Sequence, residues 1–215
     1  MNTLQTEAIE IIKKNFVKNF SIATTSFGLT SVVMIDLISK SKLKIPIIFI
    51  NTNFHFKETI EYKNKVVKFY NNLDFIELLP ELNSNIFLTK NGFDIQKKNP
   101  EFCCTKNKVE PLNGFINKKE IKIWISALRK TQTLRRLQLK KSDNINDNLL
   151  KLYPLLNWSE NNMLTYIREM NLPFHPLAFG GYGSIGCEPC TDIGECRVGR
   201  WKGLKKTECG LHFQN

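Results

Sequence analysis

Apolar residues change their period repeatedly along this chain, and those changes predict its elements. Leu4, Ala8, Ile11, Ile12 and Phe16 recur at helical spacing, so about Leu4 to Lys18 is expected to form an amphipathic helix packed on a core. Phe20 to Thr25 is a short β-prone run, followed by the turn Ser26-Phe27-Gly28-Leu29-Thr30-Ser31. Helical spacing resumes through Val32, Val33, Ile35, Leu37 and Ile38. Strand, glycine turn and helix in succession aim backbone N–H groups and a helix N-terminus at an anion. A glycine that serves only as a turn gives the same pattern.

Ile45 to Ile50 is a nearly unbroken apolar run, as expected of a strand covered on both faces. It ends in Asn51-Thr52-Asn53, after which Phe56, Ile60, Lys63, Val67 and Tyr70 mark another helix. Asp74 to Leu79 is a third strand candidate, and Phe93 to Pro100 reads as turns. A helix is expected to begin at Cys104 and to be limited by Pro111. Ile121 to Ser126 is a further strand leading into the polar segment from Arg129 to Arg136. Lys140 to Asn148 is polar and reads as an exposed loop, and Leu152 to Leu156 as a short strand. Ser159 then caps a helix, with Trp158 and Met163 at staple positions, and Pro173 closes it.

Strands alternating with helices predict an α/β fold, a mainly parallel sheet flanked by helices. Ligands of such folds sit beyond the carboxyl ends of the strands. Three polar turns fall there: Ser26 to Ser31, Asn51 to Asn53, and Arg129 to Arg136. No internal repeat or low-complexity linker divides the chain. A single domain over residues 1–201 is expected, followed by a mobile C-terminal tail, 202–215.

The net charge of +11 changes this picture less than its size suggests. Lysine is scattered over predicted helix faces without a basic block, so a solvated surface accounts for most of it. The functional reading is attraction of an anionic ligand. No motif interleaving stacking and basic residues supports nucleic acid. No uncharged apolar run reaches the ~18 residues of a membrane span. An acidic start without an apolar signal core points to the cytoplasm, where thiols stay reduced.

The cysteines carry the chemistry. A disulfide framework does not suit a chain of this length and compartment. Cys103-Cys104 and Cys187-x-x-Cys190 form two pairs, and four thiolates suit either zinc or iron. Structural zinc knuckles separate their ligands by two to four residues, whereas Cys103 and Cys104 are adjacent. A cubane cluster spreads four iron corners over a larger body, so the pattern favours one [4Fe-4S] cluster. Cys196 stands outside it and reads as an incidental thiol. Cys209, on the glycine-containing tail, reads as a separate reactive thiol.

Several motifs together resemble a known family. Ser26-Phe27-Gly28, Cys103-Cys104 with Lys108-Val109-Glu110-Pro111-Leu112, Gly186-Cys187 with Pro189-Cys190-Thr191, Arg197 with Gly199-Arg200-Trp201, and Glu208-Cys209-Gly210-Leu211-His212 are similar to the assimilatory adenylyl-sulfate reductases. The likeness runs from about Ser21 to His212. It implies an adenine nucleotide alpha hydrolase-like (PP-loop) fold and an enzyme of assimilatory sulfate reduction and cysteine biosynthesis. It also implies reduction of adenosine 5′-phosphosulfate to sulfite and AMP, through an S-sulfocysteine on Cys209. Thioredoxin or glutaredoxin would be the reductant. Cys103, Cys104, Cys187 and Cys190 would hold the cluster. Lys108, Arg129, Arg136, Arg197 and Arg200 would meet the phosphosulfate, and Ser26, Phe27 and Gly28 the adenosine side. Guanidinium forks suit sulfate and phosphate oxygens. The resemblance leaves oligomeric state open, a homo-oligomer included.

Three other readings stand beside this one: use of the 3′-phosphorylated nucleotide, an ATP-pyrophosphatase of RNA thiolation, and a zinc protein without catalysis. The pyrophosphatase wants a second glycine and an aspartate that Ser26 to Ser31 lacks. Asn51-Thr52-Asn53 stands where the reductases usually have Asp-Thr-Gly.

Overall fold

A computed structural model describes residues 3–212. In chain order the elements are α1 (Thr3–Asn15), β1 (Ser21–Thr25), α2 (Ser31–Ser41), β2 (Ile47–Ile50), α3 (Lys57–Phe69), β3 (Phe75–Leu78), α4 (Ser84–Asn91), α5 (Ile95–Lys98), α6 (Pro100–Cys104), α7 (Glu110–Lys118), β4 (Ile123–Ser126), β5 (Ser142–Asn146), β6 (Leu149–Leu152) and α8 (Glu160–Glu169). The sheet order is β3-β2-β1-β4-β6-β5. All neighbours are parallel except β5, which runs antiparallel to β6 at the edge.

Alternation along the strands separates two cores. Ala23, Ile47, Phe49, Ile123 and Ile125 face α1, α2, α3 and α8. Ile22, Ile48, Ile50 and Trp124 face the other way, toward Leu112 and Ile116 of α7. Both faces of the central strands are covered, which is why β2 reads as an unbroken apolar run and β4 is apolar up to Ser126. Ser159 caps α8 as expected: it accepts from Asn162 N–H at 3.0 Å, while Ser159 N–H donates to the Asn162 side chain.

The structure corrects four expectations. Pro111 does not limit a helix begun at Cys104: helical backbone runs from Pro100 to Lys118. A π-helical turn over Thr105–Val109 absorbs an extra residue just before the proline, so Pro111 falls in the first turn of α7, where its missing N–H costs nothing. The polar stretch Lys140 to Asn148 is not a loop but contains β5, an edge strand whose exposed face carries Ser142, Asn144 and Asn146. The strand placed at Leu152–Leu156 lies earlier, at Leu149–Leu152. Tyr153, Leu155 and Leu156 are buried in a turn, and burial there imitates a strand signal. The turns expected over Phe93–Pro100 include α5, and α4 precedes it with Phe87 as its buried residue, too little apolar pattern to read.

Candidate active site at the ends of the parallel strands

The carboxyl ends of β1, β2 and β4 open into a cleft of about 210 Å³. It lies where strand order reverses between β1 and β4, the switch point favoured by ligands of open α/β sheets. Ser26, Gly28 and the start of α2 form one wall, and Ser126 to Arg129 another. Ser31 N–H donates to the Gly28 carbonyl at 3.1 Å, closing the turn before α2. Phe27 departs from the expectation set by its neighbours. Its side chain is buried and packs edge-on against Phe49, with centroids 5.1 Å apart. Its φ of 49° is a left-handed conformation for a bulky residue, stored at the mouth of the cleft. Ser26 and Gly28 therefore line the cleft, while Phe27 anchors the turn.

Lys108, Arg129, Arg136, Arg197 and Arg200 all border the same cleft. Arg129 is buried, with Nη1 donating to Thr131 Oγ1 at 3.3 Å and no partner at Nε. Burial holds it below the ordinary arginine range, so an anion there would be welcome. Arg200 lies over the Trp201 ring, 4.3 Å from its centroid, and donates to the Cys190 carbonyl at 3.2 Å. Gly186 permits this crossing, since a Cβ there would run into the guanidinium.

Arg136 has a different partner from the one expected. It makes a bidentate pair with Glu208, Nε to Oε1 at 2.8 Å and Nη2 to Oε2 at 2.5 Å. Thr133 Oγ1 donates to the same carboxylate at 2.6 Å, and Arg197 approaches it at 3.5 Å. Burial alone would raise Glu208; the hydrogen bonds from Arg136 outweigh it and hold the carboxyl below its usual range. Two of the arginines read as substrate cations thus share a carboxylate from the tail.

That carboxylate is one of three anchors seating the tail against the domain. Lys206, also buried, pairs with Glu101 of α6. The Leu211 carbonyl accepts from Lys151 Nζ at 3.0 Å. Gly210 packs 3.4 Å or less from Cys104 and Val109 atoms, measured from where its Cβ would stand. The described part of the segment expected to be mobile, residues 202–212, is docked here and carries Cys209 into the cleft; residues 213–215 of that expectation lie outside the described residues. Breaking one partner of a buried ion pair costs about 3–5 kcal/mol. Glu208→Gln is therefore expected to loosen docking by about that amount, read as faster tryptic cleavage after Lys205 in the native protein. Cleavage at the parental rate would show that the pair does not hold the tail.

Around Cys209 the charges are arranged for a thiolate. A hydrogen bond from the Cys104 thiol, then the Lys108 ammonium and Arg200, hold Cys209 well below the ordinary thiol range despite burial. Burial alone would lower Lys108; the sulfurs of Cys187, Cys209 and Cys104 outweigh it and hold the ammonium above the usual lysine range. His212, expected near Cys209, is kept neutral by burial and by Lys151.

Cys103, Cys104, Cys187 and Cys190 come together around a smaller cavity that Lys108, Arg200 and Trp201 also border. Cys103 and Cys104 arrive on α6; Cys187 and Cys190 arrive on a 3-10 turn pinned by Glu188 N–H to the Phe54 carbonyl at 2.7 Å. Thr52 Oγ1 lies 3.3 Å from Cys187 Sγ, and Asn107 Nδ2 points at Cys103 Sγ from 3.7 Å. Burial, with Cys187 and Cys190 nearby, pushes the Cys103 thiol up to about 12. Among the described residues no group of three or more His, Cys, Asp or Glu is arranged to hold a single metal ion. The donor set is nonetheless all sulfur, and the buried Trp201 indole N–H beside it has no partner. Four thiols around a cavity and a spare N–H donor fit an iron–sulfur group in kind better than a lone ion.

Residues 21–193 match the phosphoadenosine phosphosulfate reductase domain. The chain belongs to that family. An adenosine 5′-phosphosulfate reductase of Bacillus subtilis is 41% identical over 193 residues, 87% of this chain and 80% of that protein. One from Lysinibacillus sphaericus is 36% identical over 214 residues, 95% of this chain and 90% of its own length. The crystal structure of phosphoadenylyl-sulfate reductase from Candida auris, in a phosphate complex, shares 28% identity and a TM-score of 0.72, covering 85% of this chain and 88% of that one. As a member of the phosphoadenosine phosphosulfate reductase family, the chain is an oxidoreductase with the α/β fold just described. No described helix is long and apolar enough to cross a membrane.

Sequence reasoning missed Glu208 as a partner of Arg136, Lys206 as a tail anchor, and Lys151 altogether. Only Lys151 left a signal: a lysine at an inward position of the apolar run Leu149-Leu150-Lys151-Leu152. Cys196 is exposed and apart from the four clustered cysteines, and it lines the rim of the strand-end cleft.

Proposed function

We propose that this enzyme reduces adenosine 5′-phosphosulfate to sulfite and AMP in sulfate assimilation, with Cys209 as nucleophile and a thioredoxin-type dithiol as reductant. The observation that supports it most is the placement of the Cys209 thiol with Lys108 and Arg200 in the strand-end cleft of a chain with these relatives. In this reading residues 1–201 are the catalytic body and 202–215 the tail that delivers the thiol.

The sulfuryl sulfur of the substrate is electrophilic and its leaving group, AMP, is good. The Cys209 thiolate attacks that sulfur, the bond from sulfur to the bridging phosphate oxygen breaks, and AMP departs with the electron pair. Lys108, Arg129 and Arg200 hold the phosphosulfate oxygens and offset charge growing on the leaving phosphate. Arg136 and Arg197 are engaged by Glu208 while the tail is docked, so they are free to meet substrate anions only when the tail is out of its seat. Ser26, Gly28 and the N-terminus of α2 seat the nucleotide side. Cys209 then carries an S-sulfonate. A thiolate of the reductant attacks Cys209 Sγ, sulfite leaves, and the reductant's second thiol resolves the mixed disulfide, so two electrons pass from dithiol to substrate. Cys103, Cys104, Cys187 and Cys190 would hold a [4Fe-4S] cluster, which when bound would supply electrostatic and structural support next to Lys108. The second step requires the tail to leave its seat, because a reductant protein cannot enter a cleft of this size.

Anaerobic incubation with adenosine 5′-phosphosulfate alone, followed by intact-mass measurement, is expected to show one sulfonate adduct mapping to Cys209. Reduced thioredoxin should remove it with release of sulfite. The 3′-phosphorylated nucleotide run in parallel should give far less adduct. No adduct with either nucleotide would sink the reading.

A further inference from the structure

Lys151 is fully buried at an inward position of β6, and nothing in the proposed chemistry uses it. Its Nζ stands 3.5 Å from the centroid of the Trp124 ring and 5.9 Å from that of Tyr153. Among the described residues its hydrogen-bond partner is the Leu211 carbonyl at 3.0 Å, two residues beyond Cys209 in the tail. Among the described residues no carboxylate forms a salt bridge with it. The charges that bear on it are the Cys209 sulfur and Asp143 on one side and Arg136 on the other. Its neighbours on that face, Trp124, Leu149 and Leu211, are apolar. A lysine so placed is a poor core residue, since burial disfavours its charge and an aliphatic side chain would fill the space better. Burial does pull its ammonium down, to about 7.

We infer that Lys151 is a positioning residue: it captures the Leu211 carbonyl and thereby fixes the thiol-bearing turn, Cys209 to His212, in the cleft. Three features converge on this role. The bond is to backbone, so it sets where the chain lies whatever side chain is carried. The turn it grips is itself closed by His212 N–H to the Cys209 carbonyl at 2.9 Å, so the position of one residue is passed to the other. Lys151 reaches the turn from the sheet, at a different residue from the one the Arg136–Glu208 pair holds, so the tail is held at two points. When the tail swings out, the lysine loses its partner and regains it on return. The mechanistic interest of this role rests on the proposed function; the docking claim does not.

Hydrogen exchange measured without any nucleotide tests the docking directly. In Lys151→Met, amides of residues 206–212 should exchange at least about tenfold faster, the effect of losing one charged hydrogen bond. Strands β1, β2 and β4 should stay as protected as in the parent, and the melting temperature should hold or rise. A lysine with a merely structural role would instead loosen the strands and lower that temperature. Unchanged exchange in 206–212, or loosening spread equally over tail and sheet, would overturn the inference. Should Lys151→Met fail to fold, Lys151→Gln is read on the same peptides by the same criteria. Failure of the sulfonate experiment alongside faster tail exchange would refute the reductase reading and leave the anchor standing.

Discussion

Cys209→Ser is expected to stop sulfite formation, lowering turnover by at least about 10³-fold, as removal of a covalent nucleophile does elsewhere. Serine is nearly isosteric, but its hydroxyl does not ionise near neutrality and is a far weaker nucleophile than a thiolate. The cations that favour a thiolate at this position, Lys108 and Arg200, cannot lower a hydroxyl far enough. What the substitution leaves intact makes the result decisive. The tail keeps its Glu208, Lys206 and Leu211 anchors, so it should remain docked. Nucleotide affinity should stay within about threefold, because the cleft walls at Ser26, Gly28 and Arg129 are untouched. Iron content should match the parent, since the four clustered cysteines remain. The measurement pairs sulfite release under thioredoxin turnover with intact mass after nucleotide alone. Sulfite at the parental rate, or an adduct elsewhere on the chain, would remove Cys209 from the reaction.

Much of this arrangement was legible before any coordinates, and the division between what was and was not is physical. Strands covered on both faces, such as Ile47–Ile50 and Ile123–Ser126, announce themselves because every position but the terminal Ser126 is apolar. The glycine turn before α2 and the paired cysteines are local patterns, so the strand-end cleft and the four-thiol cavity could be anticipated from spacing. Edge strand β5 could not, because one face meets water and its polar residues look like a loop. Nor could the π turn that carries Pro111 inside a helix, since its signature is backbone geometry and leaves no composition mark. The tail was legible as a carrier of a thiol but not as a docked element. Its seat depends on pairings across the fold, Arg136 with Glu208, Glu101 with Lys206 and Lys151 with Leu211, which no periodicity reports. Arg136 shows the consequence: from sequence it is a free cation for substrate, in the structure it already holds an anion belonging to the chain.

Cys187→Ser, prepared without oxygen, is expected to lose most of the roughly four irons per chain that a cubane would bring. Cys187 is the best held of the four sulfurs. It is buried, its Sγ lies 3.3 Å from Thr52 Oγ1, and its carbonyl accepts from Cys190 N–H at 3.0 Å and Thr191 Oγ1 at 2.8 Å. A serine there would keep the turn but offer a hard, protonated oxygen where a thiolate is wanted, and iron–sulfur clusters select soft ligands. Cys196→Ser is the internal control: that thiol is exposed and away from the four-cysteine cavity, so iron and visible absorbance should be unchanged. Stability should follow the metal unevenly, because ligand binding is folding energy only for the elements the ligands join. Loss of iron should loosen α6, the π turn and the 3-10 turn at Glu188–Cys190, which meet at the cavity, while the core between α1, α2 and α8 holds. Lys108 sits in the π turn, so its aim at the cleft should slacken with the iron, and sulfonation of Cys209 should slow even though the tail is intact. Iron and acid-labile sulfide retained at parental levels in Cys187→Ser would show that these four cysteines do not hold a cluster, and a parent isolated colourless without oxygen would show it more simply.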